Sequence, residues 1–215
     1  MKTILLFIML VASVFLGCTK SQIKDTLNVQ DHSTGQPVIT LFSVNSESDK
    51  FAKCLQRQLS LYVLDIKYVS KEKFQDALFP WFEYNTAPKE ISEYNDLLRN
   101  ALVRRRIEEL KIDFLIYVQG VTTQSEFQGP MLELSPGAIG YQSRDRETHI
   151  TTTIWNLNKA VALGDSIISV EGKVRVFAFS ICIMPIPAFT ESEACDETAK
   201  RISNCLKGKV SHGNE

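Results

Sequence analysis

Between Pro37 and Val118 short apolar runs alternate with segments of helical spacing, and this order limits the chain to few folds. Pro37 to Val44 (PVITLFSV) is nearly continuous apolar, as a buried strand is. Asn45 to Asp49 supplies helix-capping residues. Phe51, Cys54, Leu55, Gln58 and Leu59 then recur at helical intervals. Val63 to Val69 reads as a second strand and Lys71 to Leu78 as a short helix. Glu90 to Lys111 reads as the longest helix, with Leu98 and Leu102 one turn apart, and Asp113 to Val118 as a strand. Helix followed by strand, twice over, predicts an α/β layer.

The second half has another texture. Gly120 to Arg146, broken by Gly129-Pro130 and Ser135-Pro136-Gly137, reads as a long surface loop. His149 to Trp155 alternates polar and β-branched residues. Val161 to Val170 and Lys173 to Ile183 read as further strands, so that an antiparallel meander is expected before Pro185 and Pro187 stop the sheet. Val174 to Ile183 is apolar on both faces and reads as a core strand. Glu191 to Leu206 is expected as a closing helix, with Ala194, Cys195, Thr198, Ala199, Ile202 and Leu206 on its inner face. The expected fold is therefore an α/β (α+β) mixed sheet with a C-terminal antiparallel meander, helices mainly on one side and a closing C-terminal helix.

The amino terminus reads as an address. Lys2 precedes an apolar run from Ile4 to Leu16 in which only Ser13 is polar, and Gly17-Cys18 follows. Thirteen residues are too few for a span that needs roughly 20. The run suits a cleavable export signal. With the cysteine, Phe15-Leu16-Gly17-Cys18 resembles the lipobox of bacterial lipoproteins, although Phe15 stands where that family usually has leucine. The resemblance implies cleavage before Cys18 and acylation of its thiol. Thr19, in place of an aspartate, implies the outer membrane by analogy with enterobacterial sorting. The expected organisation is a signal peptide over 1–17, a lipidated terminus and flexible tether over 18–36, one domain over 37–207 and a polar tail over 208–215.

The net charge of −1 gives no footprint for nucleic acid, since neutralising phosphates needs a basic excess. Arg104-Arg105-Arg106 is answered by Glu108 and Glu109 at helical i,i+4 spacing. With Cys18 acylated, Cys54, Cys182, Cys195 and Cys205 are candidates for disulfides in an oxidising compartment. Cys195 and Cys205 lie ten residues apart in one expected helix, about 15 Å along its axis, which prevents their pairing unless that helix breaks. Cys54 is then the natural partner of a C-terminal cysteine, unless all four are buried thiols. Phe79 to Tyr84 is an aromatic cluster broken by Pro80, and reads either as a loop packed on the core or as an interaction surface through Trp81, Phe82 and Tyr84.

No catalytic constellation is legible. His32, His149 and His212 have no ligand partners at metal-binding spacing. Gly164-Asp165-Ser166-Ile167 is similar to the nucleophile block of GDSL hydrolases, but lies late in the chain and without the downstream Asp-x-x-His. Ser70-Lys71-Glu72-Lys73 matches the S-x-x-K pattern without its S-D-N and K-T-G companions, and reads as a helix N-cap. No cofactor and no enzymatic activity are expected.

The element order, with VITLFSV at 38–44, DFLIYVQGVTTQ at 113–124, TTTIWNLNKAVALGDS at 151–166 and ESEACDETAKRISNCL at 191–206, resembles the amino-terminal domain of TolB and the curli-secretion-channel (CsgG-like) lipoproteins. The resemblance implies envelope proteins that interact or assemble. The segment 120–146 lacks lipid-facing alternation, so a pore is not expected. The expected role is a periplasm-facing, membrane-anchored interaction or assembly module, in contact with the membrane through Cys18 and with an envelope protein through Trp81, Phe82, Tyr84 or residues 125–146. The alternatives are an envelope hydrolase, with a site built from Ser166 or from groups distant in sequence, and a small-ligand binder with a pocket near the aromatic cluster.

Overall fold

The computed structural model describes residues 19–27, 36–83, 86–88, 91–134 and 137–208. Cys18, Tyr84, the expected signal peptide and most of the expected polar tail lie outside the described residues. The fold is mixed α+β, as expected. In chain order the strands and helices are β1 (Lys20–Asp25), β2 (Val38–Phe42), α1 (Ser46–Tyr62), β3 (Lys67–Val69), α2 (Lys71–Ala77), α3 (Ile91–Arg99), α4 (Ala101–Leu110), β4 (Phe114–Gln124), β5 (Met131–Leu134), β6 (Gly137–Asn156), β7 (Val161–Ser180), β8 (Cys182–Ile186) and α5 (Thr190–Leu206). The sheet order is β1-β7-β6-β4-β2-β3, with β5 added on β6 and β8 on β7. β2 pairs in parallel with both β3 and β4, whereas β5–β6 and β7–β8 are antiparallel.

The chain clusters into two compact units. The first holds residues up to 22, 122–148 and 169–193; the second holds 23–121, 149–168 and the residues from 194 on.

The second unit contains the aromatic core. Phe42, Phe74, Phe82, Tyr94, Tyr117 and Trp155 gather with Leu98, Val103, Ile107 and Leu115. Phe82 sits edge-on to Phe42 at 5.2 Å and to Phe74 at 4.8 Å, near the preferred geometry for aromatic pairs. Tyr94 stacks on Trp155 at 5.2 Å, and the Trp155 indole N–H donates to Asn95 Oδ1 at 2.8 Å. Helix α1 starts at Asn45, whose side chain accepts from the Ser48 N–H, and buries Phe51, Leu55 and Leu59 at i, i+4, i+8.

Several elements differ from the sequence expectation. The helix read over Glu90 to Lys111 is two helices, because Asn100 leaves the helical conformation and its side chain accepts from Leu102 N–H at 2.9 Å. An asparagine competes in this way for backbone donors and serves better as a cap than inside a helix. The break separates the expected Leu98–Leu102 pair: Leu98 is buried and Leu102 is 63% exposed. The tether read over 18–36 contributes strand β1, whose polar sequence is held by backbone pairing beside β7 rather than by an apolar face. The loop read over 120–146 is largely strand. Its ladder, Met131↔Gly140 to Leu134↔Gly137, comes from backbone pairing that side-chain periodicity does not report. The two strands read over 161–183 are one strand to Ser180, continuous through Glu171-Gly172.

Candidate functional site: an exposed apolar sheet face and a polar cleft

In the first unit the β5–β6 ladder sets Leu132 directly opposite Ile139, and both side chains are exposed. Such a cross-strand apolar pair normally stabilises a sheet by packing under a covering layer. Phe127 is exposed nearby in sequence and carries the Arg144 guanidinium over its ring at 4.6 Å. Polar pairs secure the same unit: Lys173 Nζ lies 3.3 Å from Asp145 Oδ1, Arg146 pairs with Glu191, and Thr148 Oγ1 donates to Thr190 Oγ1 at 2.9 Å.

Beyond this pair, the β7–β8 hairpin exposes Phe179, Ile181, Ile183 and Met184. The expectation that Val174 to Ile183 forms a core strand is therefore corrected for its second half: Val174 and Ala178 are buried, but Ile181 is 79% exposed. Apolarity on both faces requires cover on both faces, and among the described residues β8 pairs only with β7.

The second unit holds a cleft of about 450 Å³ at the carboxyl ends of parallel strands β2 and β3, lined among others by Ser43, Asp49, Lys53, Tyr68 and Lys71. The ends of parallel strands are where open α/β sheets hold ligands. Lys71 Nζ donates to Asp49 Oδ1 at 2.7 Å, and Ser43 Oγ donates to the same oxygen. Burial pushes the Asp49 carboxyl up, but these donors outweigh it and hold the carboxyl below its usual range. The cleft is thus an open, charged hollow in which Asp49 is already paired with Lys71, with Lys53 and Glu72 also in its lining.

The sequence-selected residues fall in different places. Phe82 is wholly buried and Trp81 packs partly buried against the same core, so Phe82 presents no surface. The structure joins Cys54 on α1 to Cys195 on α5. Cys182 is an exposed free thiol on β8. Cys205 is buried, and burial pushes its thiol up to about 11. Ser70 Oγ accepts from the Lys73 N–H as the N-cap of α2. Ser166 lies within β7, fully buried, and its Oγ makes no hydrogen bond among the described residues, so none of these positions a base on it. Gly164 before it has φ +134°, and a Cβ there would lie 2.5 Å from the Thr26 carbonyl oxygen, so the glycine serves a close backbone approach. Neither the Leu132–Ile139 pair nor the cleft stands out in the sequence. The first depends on strand register and the second on which strand ends meet.

These features define an α+β protein with an apolar sheet face left exposed among the described residues, and a polar cleft in its second unit. No family model matches the chain, and no curated protein matches it. Among solved structures it is similar to the PelC dodecamer from Paraburkholderia phytofirmans, with TM-score 0.39 and 9% identity over 87% of this chain and 98% of that one. A single-substitution variant of that PelC dodecamer gives TM-score 0.37 and 9% identity, over 90% of this chain and 100% of the other. A neuraminyllactose-binding hemagglutinin homolog from Helicobacter pylori gives TM-score 0.35 and 10% identity, over 83% and 89%.

Proposed function

We propose that this chain is a bacterial lipoprotein, anchored through acylated Cys18 in the outer membrane and facing the periplasm, that serves as a non-enzymatic interaction or assembly module of the envelope. The lipobox-like Phe15-Leu16-Gly17-Cys18 supports the anchor, and the resemblance of the element order to TolB and curli-channel lipoproteins agrees with it. The observation that carries the interaction role is the exposed, cross-strand Leu132–Ile139 pair within the segment 125–146. Apolar surface left in water costs about 25 cal/mol per Å², which a partner's surface would recover. A photo-crosslinking residue placed at Leu132 in intact cells tests the reading. A discrete envelope-protein adduct, lost when Ile139→Asp is added, is the supporting result. No adduct from Leu132 or Ile139 in any growth condition removes this surface as a partner site.

A second reading, a small-ligand binder, is favoured by the cleft between β2, β3 and α1. A thermal-shift screen of small polar metabolites separates the two: a ligand whose stabilisation vanishes in Asp49→Asn and Lys71→Met selects the cleft.

A further inference from the structure

No charged residue occurs between Arg175 and Glu191, and Ile181 to Phe189 is wholly apolar. In the structure this run is on the outside. Exposure alternates through its second half: Pro185, Pro187 and Phe189 are exposed, whereas Ile186, Ala188 and Thr190 are buried. Ile181 and Ile183 extend the exposed series, and Phe189 at its end is 69% exposed. The strip comprises Ile181, β8 and the residues from Pro187 to Phe189.

A strand could cover this edge only by backbone hydrogen bonding. Proline is accommodated in a strand where its missing N–H would point away from the ladder. Pro185 lies opposite Val176 in the β7–β8 ladder, and Pro187 follows two residues on. Pro185 within β8 and Pro187 just after it offer no backbone donor, which disfavours strand addition along this segment. Hydrocarbon makes no such demand.

The amino terminus lies beside the same strip. A Cβ built on Gly172 would lie 2.8 Å from Thr190 Cγ2, 3.0 Å from Ala188 Cβ and 3.3 Å from Thr19 Cγ2. Thr19 Oγ1 also donates to the Glu193 carboxylate. Thr19 thus meets the inward-facing side chains of the two residues that flank Phe189, and β1 begins at the next residue. Cys18 directly precedes Thr19 in the sequence, and Thr19 is packed on this unit.

We infer that the strip Ile181–Phe189 is a second membrane contact, seated in the acyl region of the bilayer that holds the Cys18 anchor, with Phe189 and Ile183 as its deepest side chains. The inference rests on the proposed acylation of Cys18. An anchor one residue before Thr19 keeps this end of the unit at the membrane, and the strip is the exposed apolar surface nearest to it in the chain's 188–190 segment.

The test uses the full-length lipoprotein, extracted from cells and reconstituted in phosphatidylethanolamine–phosphatidylglycerol vesicles carrying acyl-brominated lipid. Ile183→Trp and Phe189→Trp are compared with the wild-type chain, whose Trp81 and Trp155 are half-buried and buried. The N-terminal peptide is read in parallel by mass spectrometry. Acylated Cys18 with the added tryptophans quenched about two-fold or more, and the wild-type signal unchanged, is the expected result. Acylated Cys18 with both added tryptophans unquenched overturns the membrane seat and leaves the lipoprotein reading intact. Crosslinking of Cys182 between copies, together with absent quenching, overturns it in favour of a protein cover. A Cys18 without lipid removes both readings.

Discussion

Cys54 of α1 and Cys195 of α5 are bonded across 141 residues of sequence, with their Cα atoms 6.2 Å apart. Within the same unit Tyr62 Oη donates to Asp196 Oδ1 at 2.5 Å, so the closing helix is tied to α1 by adjacent residues of different chemistry. A crosslink that closes so long a loop acts chiefly by restricting the unfolded chain. Urea unfolding of the oxidised protein against Cys54→Ala/Cys195→Ala is expected to show a loss of roughly 2–5 kcal/mol. Equal midpoints would mean that the bond contributes nothing to stability.

The remaining two cysteines are expected to separate by reactivity. Cys182 is exposed and should take one maleimide in the native protein, whereas Cys205 should react only on unfolding. Burial, followed by the nearby Asp25 charge, raises the Cys205 thiol from 9.0 to about 11. The thiol is protonated in both states well below 9.0. Above that the unfolded chain ionises while the folded one resists, so stability should fall as pH rises through this window. Cys205→Ala should make that slope shallower in an unfolding series from pH 8 to about pH 11, where the raised Tyr94 and Tyr117 hydroxyls add to it with the same sign.

Phe82 and Trp81 adjoin in sequence but should differ in cost. Phe82→Ala opens a cavity among Phe42, Phe74 and Tyr94, and about 3–5 kcal/mol is expected. Trp81→Ala removes a partly buried ring at the edge of that cluster and should cost clearly less. Chemical denaturation of the two variants side by side measures the difference. A larger loss at Trp81 would place the core elsewhere.

Gly172→Val should loosen the amino terminus. Even a Cβ there meets Thr190, Ala188 and Thr19 at 3.3 Å or less, and valine adds two methyl groups. The expected outcome is faster proteolysis within residues 19–25, read by N-terminal mass spectrometry, while the Cys54–Cys195 bond stays formed. Unchanged cleavage would show that Thr19 is not held by this contact.

Asn100→Ala removes the side chain that accepts from Leu102 N–H at the start of α4. A loss of about 0.5–2 kcal/mol is expected by urea unfolding. A gain in stability would mean that α3 and α4 join into one helix, the form suggested by local spacing alone.

Residues whose environment is local were legible in the chain. Asn45 and Ser70 cap helices because a short polar side chain reaches its own backbone, and Phe51, Leu55 and Leu59 share a face because a helix repeats every 3.6 residues. Leu132 and Ile139 were not legible as a pair, since their opposition depends on the β5–β6 register. Lys20 to Asp25 has the composition of a linker, and becomes a strand only because β7 offers it a row of backbone partners.

The apolar run after Arg175 draws the boundary between the two kinds of information. By itself the sequence determined that these side chains need cover, because hydrophobicity belongs to the side chain wherever it is placed. It also determined that Pro185 and Pro187 lack donors, a matter of covalent structure. Only the tertiary structure decided that β7 covers part of this run, that β8 and Phe189 stay outside, and that Thr19 lies beside them. Burial is a property of pairs of segments distant in the chain, and such pairs leave no signature in local composition.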